Sequence, residues 1–121
     1  MQYSNPMQRI INASKYSLEG LNYALRHEQA FRYEAVILAV MCITLPILPL
    51  PLFVSVCLAG AWLIVMCFEL VNSSVEKAFD LITCEYSPLV KAGKDMLSAS
   101  IFLMICVNII LWCVAIISYL T

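Results

Sequence analysis

What most constrains this chain is where its charges are missing. Arg9, Lys15, Glu19, Arg26, Glu28, Arg32 and Glu34 form one block. Glu69, Glu76, Lys77, Asp80, Glu85, Lys91, Lys94 and Asp95 form a second, and residues 35–68 and 96–121 carry no charge at all. A soluble domain is about 25 % charged and about 45–50 % apolar. Here 12 % of the 121 residues are charged and 63 % are apolar. So apolar a chain is not disordered, because disorder needs low hydrophobicity. With a net charge of −1 it has no basic face for nucleic acid. The composition predicts a small integral membrane protein.

The first uncharged stretch is too long for one span of about 20 residues. It contains Pro46, Pro49 and Pro51. Proline removes a helical donor and clashes with the preceding turn, so the cluster predicts a break. We read spans at 32–48, 52–80 and 94–119, preceded by a helix over 7–27, as a single membrane domain. Three spans place every Lys and Arg on one side, which the positive-inside rule makes the cytoplasm. The polar N-terminal region lacks the apolar core of a signal peptide.

Within 7–27, Gln8, Arg9, Asn12, Lys15, Glu19, Asn22 and Arg26 form a polar stripe. Ile10, Ile11, Ser14, Leu18, Leu21 and Leu25 form the opposite one. This is the pattern of a helix lying in the membrane plane, either as an anchor or as the cover of an interfacial site. The six cysteines include no CxxC pair. A lipid setting and a reducing cytoplasm argue against disulfides or zinc, which leaves buried apolar thiols as the expectation. His27, the single histidine, reads as an interfacial residue.

The second span carries Glu69, Asn72, Ser73, Glu76 and Asp80 on one helical face. Ionisable groups in such a helix are costly and face a protein interior. Glu69 lies about 26 Å along the helix from Leu52 at 1.5 Å per residue, just inside a core about 30 Å thick. Glu76 lies about 10 Å further on, at the water. The stripe therefore straddles the lipid–water border. Glu28 sits at the matching end of the first span, within reach of Arg32 one turn later. Glu28 and Glu76 are either ordinary interfacial charges or the holders of a hard cation such as Mg²⁺, which takes one or two carboxylates plus phosphates and waters. Glu69 has no basic neighbour one turn away and is suited to general-base work. Lys91 and Lys94 can supply charge to phosphate. Gly93-Lys94 is followed by Asp95, so the chain has no P-loop.

These residues resemble the prokaryotic integral-membrane diacylglycerol kinases, a family that includes undecaprenol kinases. The matching pieces are Arg9-Ile-Ile, Tyr16-Ser17, Gly20-Leu21, Glu28, Ala30-Phe31-Arg32 and Glu34. Glu69-Leu-Val-Asn72-Ser73 with Glu76 and Asp80, Glu85-Tyr86 and Lys94-Asp95 complete them. The resemblance implies an all-α membrane protein: a homotrimer of three-span subunits, each preceded by an amphipathic surface helix. By it, Glu69, Asn72 and Lys94 form the catalytic set, with Glu69 as base and Lys94 on phosphate. Glu28 and Glu76 are the Mg²⁺ carboxylates. Arg9, Tyr16, Glu28, Glu76, Glu85, Tyr86, Ser87, Lys94 and Asp95 meet ATP. Arg9, Glu34, Glu69, Ser98 and Trp112 lie near the lipid substrate. Ser87 stands where many members carry His, Ser74 and Lys77 replace small or apolar residues, and the external turn is unusually rich in proline.

The implied reaction is transfer of the γ-phosphoryl group of MgATP to diacylglycerol at the cytoplasmic face of a bacterial inner membrane, with undecaprenol as the alternative acceptor. Phosphoryl transfer needs positioning and charge neutralisation more than covalent chemistry. A small multidrug transporter would need four spans and a carboxylate deep in the first. A pore or structural assembly would not need ionisable groups gathered at one border.

Overall fold

The computed structural model describes residues 5–121. They form four helices, α1 (Pro6–His27), α2 (Gln29–Thr44), α3 (Leu52–Ile82) and α4 (Pro88–Tyr119), with no strand among the described residues. α1 starts where Asn5 Oδ1 accepts from the Gln8 amide at 2.7 Å and Pro6 fills the first turn, where its missing N–H costs nothing. It ends at Glu28, whose extended backbone (φ −107°, ψ 107°) lets the chain turn and restart as α2.

α2 is shorter than the predicted span. It stops at Thr44 rather than Leu48, because Pro46 has no amide to continue the ladder. The proline-rich turn closes with the Leu48 amide on the Thr44 carbonyl at 3.2 Å and the Leu50 amide on the Leu48 carbonyl at 2.8 Å. α4 begins six residues ahead of the predicted span. Ser87 caps it by accepting from the Val90 amide at 3.5 Å, and Pro88 occupies the first turn. α3 and α4 are each long and apolar enough to cross a bilayer. The 16 residues of α2 rise about 24 Å, short of the roughly 30 Å hydrocarbon core.

α3 packs against α4 and α2, and α1 rests on α2. One core cluster, Met41, Leu45, Leu58 and Ala115 with Trp112 beside it, closes the end near the proline-rich turn. A second, Ala24, Phe31 and Met66, closes the end where α1 meets α2. Polar pins tie the helices together. Trp62 Nε1 donates to the Glu34 carbonyl at 2.9 Å, and Asn108 Nδ2 donates to the Ala61 carbonyl at 3.2 Å. Lys94 Nζ meets Asp80 Oδ1 at 2.9 Å. Gly93 lies close beside that last pin: a Cβ there would fall 2.6 Å from Phe79 Cζ, so the ring would have to move aside.

The outer faces of α3 and α4 are apolar and exposed, as at Leu63, Ile64, Val71, Leu103, Ile110 and Ile117. Burying such a side chain is worth about 1.5–3 kcal/mol, so faces this extensive belong against lipid. The thiols differ from expectation. Cys42, Cys57, Cys67, Cys84 and Cys113 are exposed and only Cys106 is half-buried, because each of the five falls on an outward face of its helix or in the α3–α4 loop. All six are free.

Candidate active site

The polar stripe of α3 turns inward. Glu69, Asn72 and Ser73 are each 8 % exposed, on the face that also buries Leu58, Val65 and Met66. Glu76 is half-buried and Asp80 exposed, so the stripe climbs out of the bundle toward the α3–α4 loop. Glu34 of α2 is buried as well, at 8 %. Among the described residues these two glutamates are the only buried charged side chains. Glu69 lies in electrostatic range of Glu34, Glu76 and Glu28, and Asn72 stands beside it one turn along. Glu34 Oε2 and Asn72 Oδ1 have no hydrogen-bond partner in the protein. An unpaired buried acceptor costs about 1–3 kcal/mol, a cost relieved by a bound donor.

Two separate cavities flank this face. The first, about 510 Å³, lies between α1 and α3 and is lined by Ser17, Tyr23, Glu28, Ser73, Ser74 and Lys77 among others. The second, about 610 Å³, lies under the α3–α4 loop and holds Asp80, Glu85, Tyr86, Ser87, Lys94 and Asp95. The structure thus gathers the loop half of the expected nucleotide set into one pocket. Lys91 and Asp95 pair at 2.7 Å across one turn at its rim. Arg9 and Tyr16 lie exposed on α1 and line neither cavity. Ser98 is exposed on α4. Trp112 packs in the cluster at the proline-turn end, the far end of the bundle from Glu69.

Two pairings differ from what local spacing offered. Glu28 pairs with Lys77 of α3, not with Arg32. Arg32 Nη1 instead donates to the Arg26 carbonyl at 2.8 Å, closing the end of α1. The sequence reading also passes over Asn108, which is 4 % exposed and pins α4 to α3. A lone amide in an uncharged apolar stretch was the available signal.

A helical membrane protein with an acidic interior face, opening toward a lysine-bearing pocket at one end, is the class these features define. Residues 15–116 match the model of the prokaryotic diacylglycerol kinases. The diacylglycerol kinase of Haemophilus influenzae is 34 % identical over 118 residues, covering 93 % of this chain and 95 % of its own. That of Escherichia coli K12 is 37 % identical over 106 residues (88 % and 87 %), and that of Pseudomonas aeruginosa 37 % over 112 residues (88 % and 86 %). The chain belongs to the prokaryotic diacylglycerol kinase family: it is an enzyme, a lipid kinase.

Proposed function

We propose that this chain transfers the γ-phosphoryl group of MgATP to the free hydroxyl of diacylglycerol, giving phosphatidic acid. The observation that carries the reading is the buried acidic face. Glu69 is buried in electrostatic range of Glu34 and next to Asn72, where its carboxylate can accept the O–H of a lipid alcohol. Glu69 takes the hydroxyl proton as the lipid oxygen attacks the γ-phosphorus and the bond to the ADP oxygen breaks. Lys94, in the loop cavity with Glu85, Tyr86, Ser87 and Asp95, neutralises phosphate charge.

Glu28 and Glu76 are the residues we assign to Mg²⁺. The donor set fits. Glu28 already attracts a cation, the ammonium of Lys77, and Glu76 is only half-buried, so a metal there can keep its waters. Glu28 and Glu76 would hold the ion beside phosphate and water oxygens, and it would supply positive charge to offset that of the phosphates.

The same reading makes α2, extended by its apolar turn residues, a third span, with α1 lying in the cytoplasmic interface of a bacterial inner membrane. It also makes the enzyme a homotrimer. The two cavities are separate and Arg9 and Tyr16 line neither, which favours a site completed by a neighbouring copy. The test is a mixed-micelle assay supplying MgATP with diacylglycerol or undecaprenol. Phosphorylation of diacylglycerol is expected. Exclusive use of undecaprenol would reassign the acceptor, and use of neither would overturn the proposal.

A further inference from the structure

Glu28 sits at the non-helical joint between α1 and α2. Its amide is fixed on the Ala24 carbonyl at 2.9 Å and its carbonyl accepts from the Arg32 amide at 3.1 Å. The backbone at the joint is therefore fixed. The carboxylate is 24 % exposed, and its Oε1 is held by the Lys77 ammonium from α3. The nearby Arg32 guanidinium is committed to the Arg26 carbonyl. Lys77 is 50 % exposed, and its ammonium also lies 5.4 Å from the centre of the Tyr23 ring. Tyr23 is in turn stacked on His27 at 4.3 Å. Lys77 thus belongs to no buried network. It rests on one carboxylate and one ring face, on a flexible stem open to water.

We propose that Lys77 is a resident counter-cation of Glu28, one that a divalent metal must displace and that thereby sets how tightly this enzyme holds its metal. The inference rests on the assignment of Glu28 as a metal carboxylate. A monovalent ammonium and a divalent ion on the same carboxylate oxygen repel each other, so the two occupy it in turn. Displacement is easy in one respect, since a half-exposed ion pair on a long lysine stem contributes little. It still competes with every binding event, so the metal affinity of this chain is weaker than Glu28 and Glu76 alone would give. When the ammonium leaves, the Tyr23 ring face keeps it close to the joint.

The test is direct metal binding by the full chain in detergent micelles, read from the electron paramagnetic resonance signal of free Mn²⁺ with a non-hydrolysable ATP analogue present. Lys77→Ala is expected to bind Mn²⁺ about fivefold more tightly than the wild type, the upper end of what an exposed pair contributes. Lys77→Arg should stay close to the wild type. Glu28→Gln should bind weakly whether residue 77 is Lys or Ala. If Glu28→Gln weakens binding but Lys77→Ala does not tighten it, the counter-cation role is overturned and the metal assignment stands. A gain from Lys77→Ala that persists in the Glu28→Gln background would show a long-range charge effect and also overturn it. If Glu28→Gln binds Mn²⁺ like the wild type, the metal assignment itself has failed.

Discussion

Replacing Glu69 with Gln removes the proposed proton acceptor and almost nothing else. Gln has the same length and nearly the same volume, so a site that is 8 % exposed stays filled. Glu69 makes no ion pair and lines neither cavity, so the ion pairs Glu28–Lys77 and Asp80–Lys94 are untouched. Loss of a positioned general base costs about 10²–10⁴ in rate, which is about 3–5 kcal/mol of transition-state stabilisation. The loss should fall on kcat, with the KM for ATP unchanged, since the loop cavity keeps all its groups. Glu69→Asp keeps a carboxylate but withdraws it by about one methylene, and misplacement of about 1 Å can cost about 10²-fold. The expected order is therefore wild type, then Asp, then Gln. The assay is ADP release in mixed micelles at saturating diacylglycerol, with thermal unfolding and size-exclusion profiles showing that the fold persists. A Gln variant within about threefold of wild-type kcat, or one whose loss lies wholly in the KM for ATP, would refute the base assignment.

Two further outcomes follow from the α3–α4 contact. Lys94→Ala breaks a pair whose lysine is 39 % exposed and whose aspartate is 68 % exposed, so the midpoint of unfolding should move by no more than about 1 kcal/mol would allow. Its effect should appear instead as a raised KM for ATP and a lowered kcat in the micelle assay, and full activity would remove Lys94 from the phosphate site. Gly93→Ala forces a methyl to within 2.6 Å of the Phe79 ring. Such overpacking costs about 1–3 kcal/mol. The thermal midpoint should fall and should recover when Phe79→Leu is added, whereas an unchanged midpoint in the single variant would show that the ring yields freely.

Much of the architecture was legible because it is written in periodicity and in gaps. The offsets of Glu69, Asn72, Ser73, Glu76 and Asp80 describe one helical face, buried at Glu69, Asn72 and Ser73 and rising to the surface through Glu76 to Asp80. The proline cluster marks a break in the first uncharged stretch, although α2 ends at Thr44, four residues before the expected Leu48. What local reading missed are contacts between residues far apart in the chain. Arg32 was within one turn of Glu28, yet the bend at Glu28 brings Arg32 onto a carbonyl of α1 and leaves the carboxylate to Lys77. The early start of α4 was hidden because the charged residues Lys91, Lys94 and Asp95 look unlike a span, although Ser87-Pro88 is a helix-start signal. The cysteines were placed inside by their general preference for burial, but in apolar helices the outward faces are as welcoming to a thiol as the inward ones. For the site, Glu85, Tyr86, Ser87, Lys94 and Asp95, which only the family resemblance had grouped, line one cavity. Arg9 and Tyr16 stand apart from them, because nothing in a linear pattern tells how far one helix lies from another.

The loop that joins α3 to α4 runs only from Thr83 to Ser87, and it is strapped down at several points. The Thr83 hydroxyl accepts from the Glu85 amide at 3.0 Å, Ser87 is engaged as a cap, and Asp80 and Lys94 brace the two helices on either side. A ligand entering that pocket meets groups whose backbone freedom was given up when the protein folded. Ordering a loose loop costs roughly 1–2 kcal/mol per residue, and here that cost does not recur with each turnover. Under the proposed function this pocket is where the nucleotide comes and goes, and a stiff pocket with mostly exposed polar groups would bind it without a fresh ordering cost while leaving it open to release.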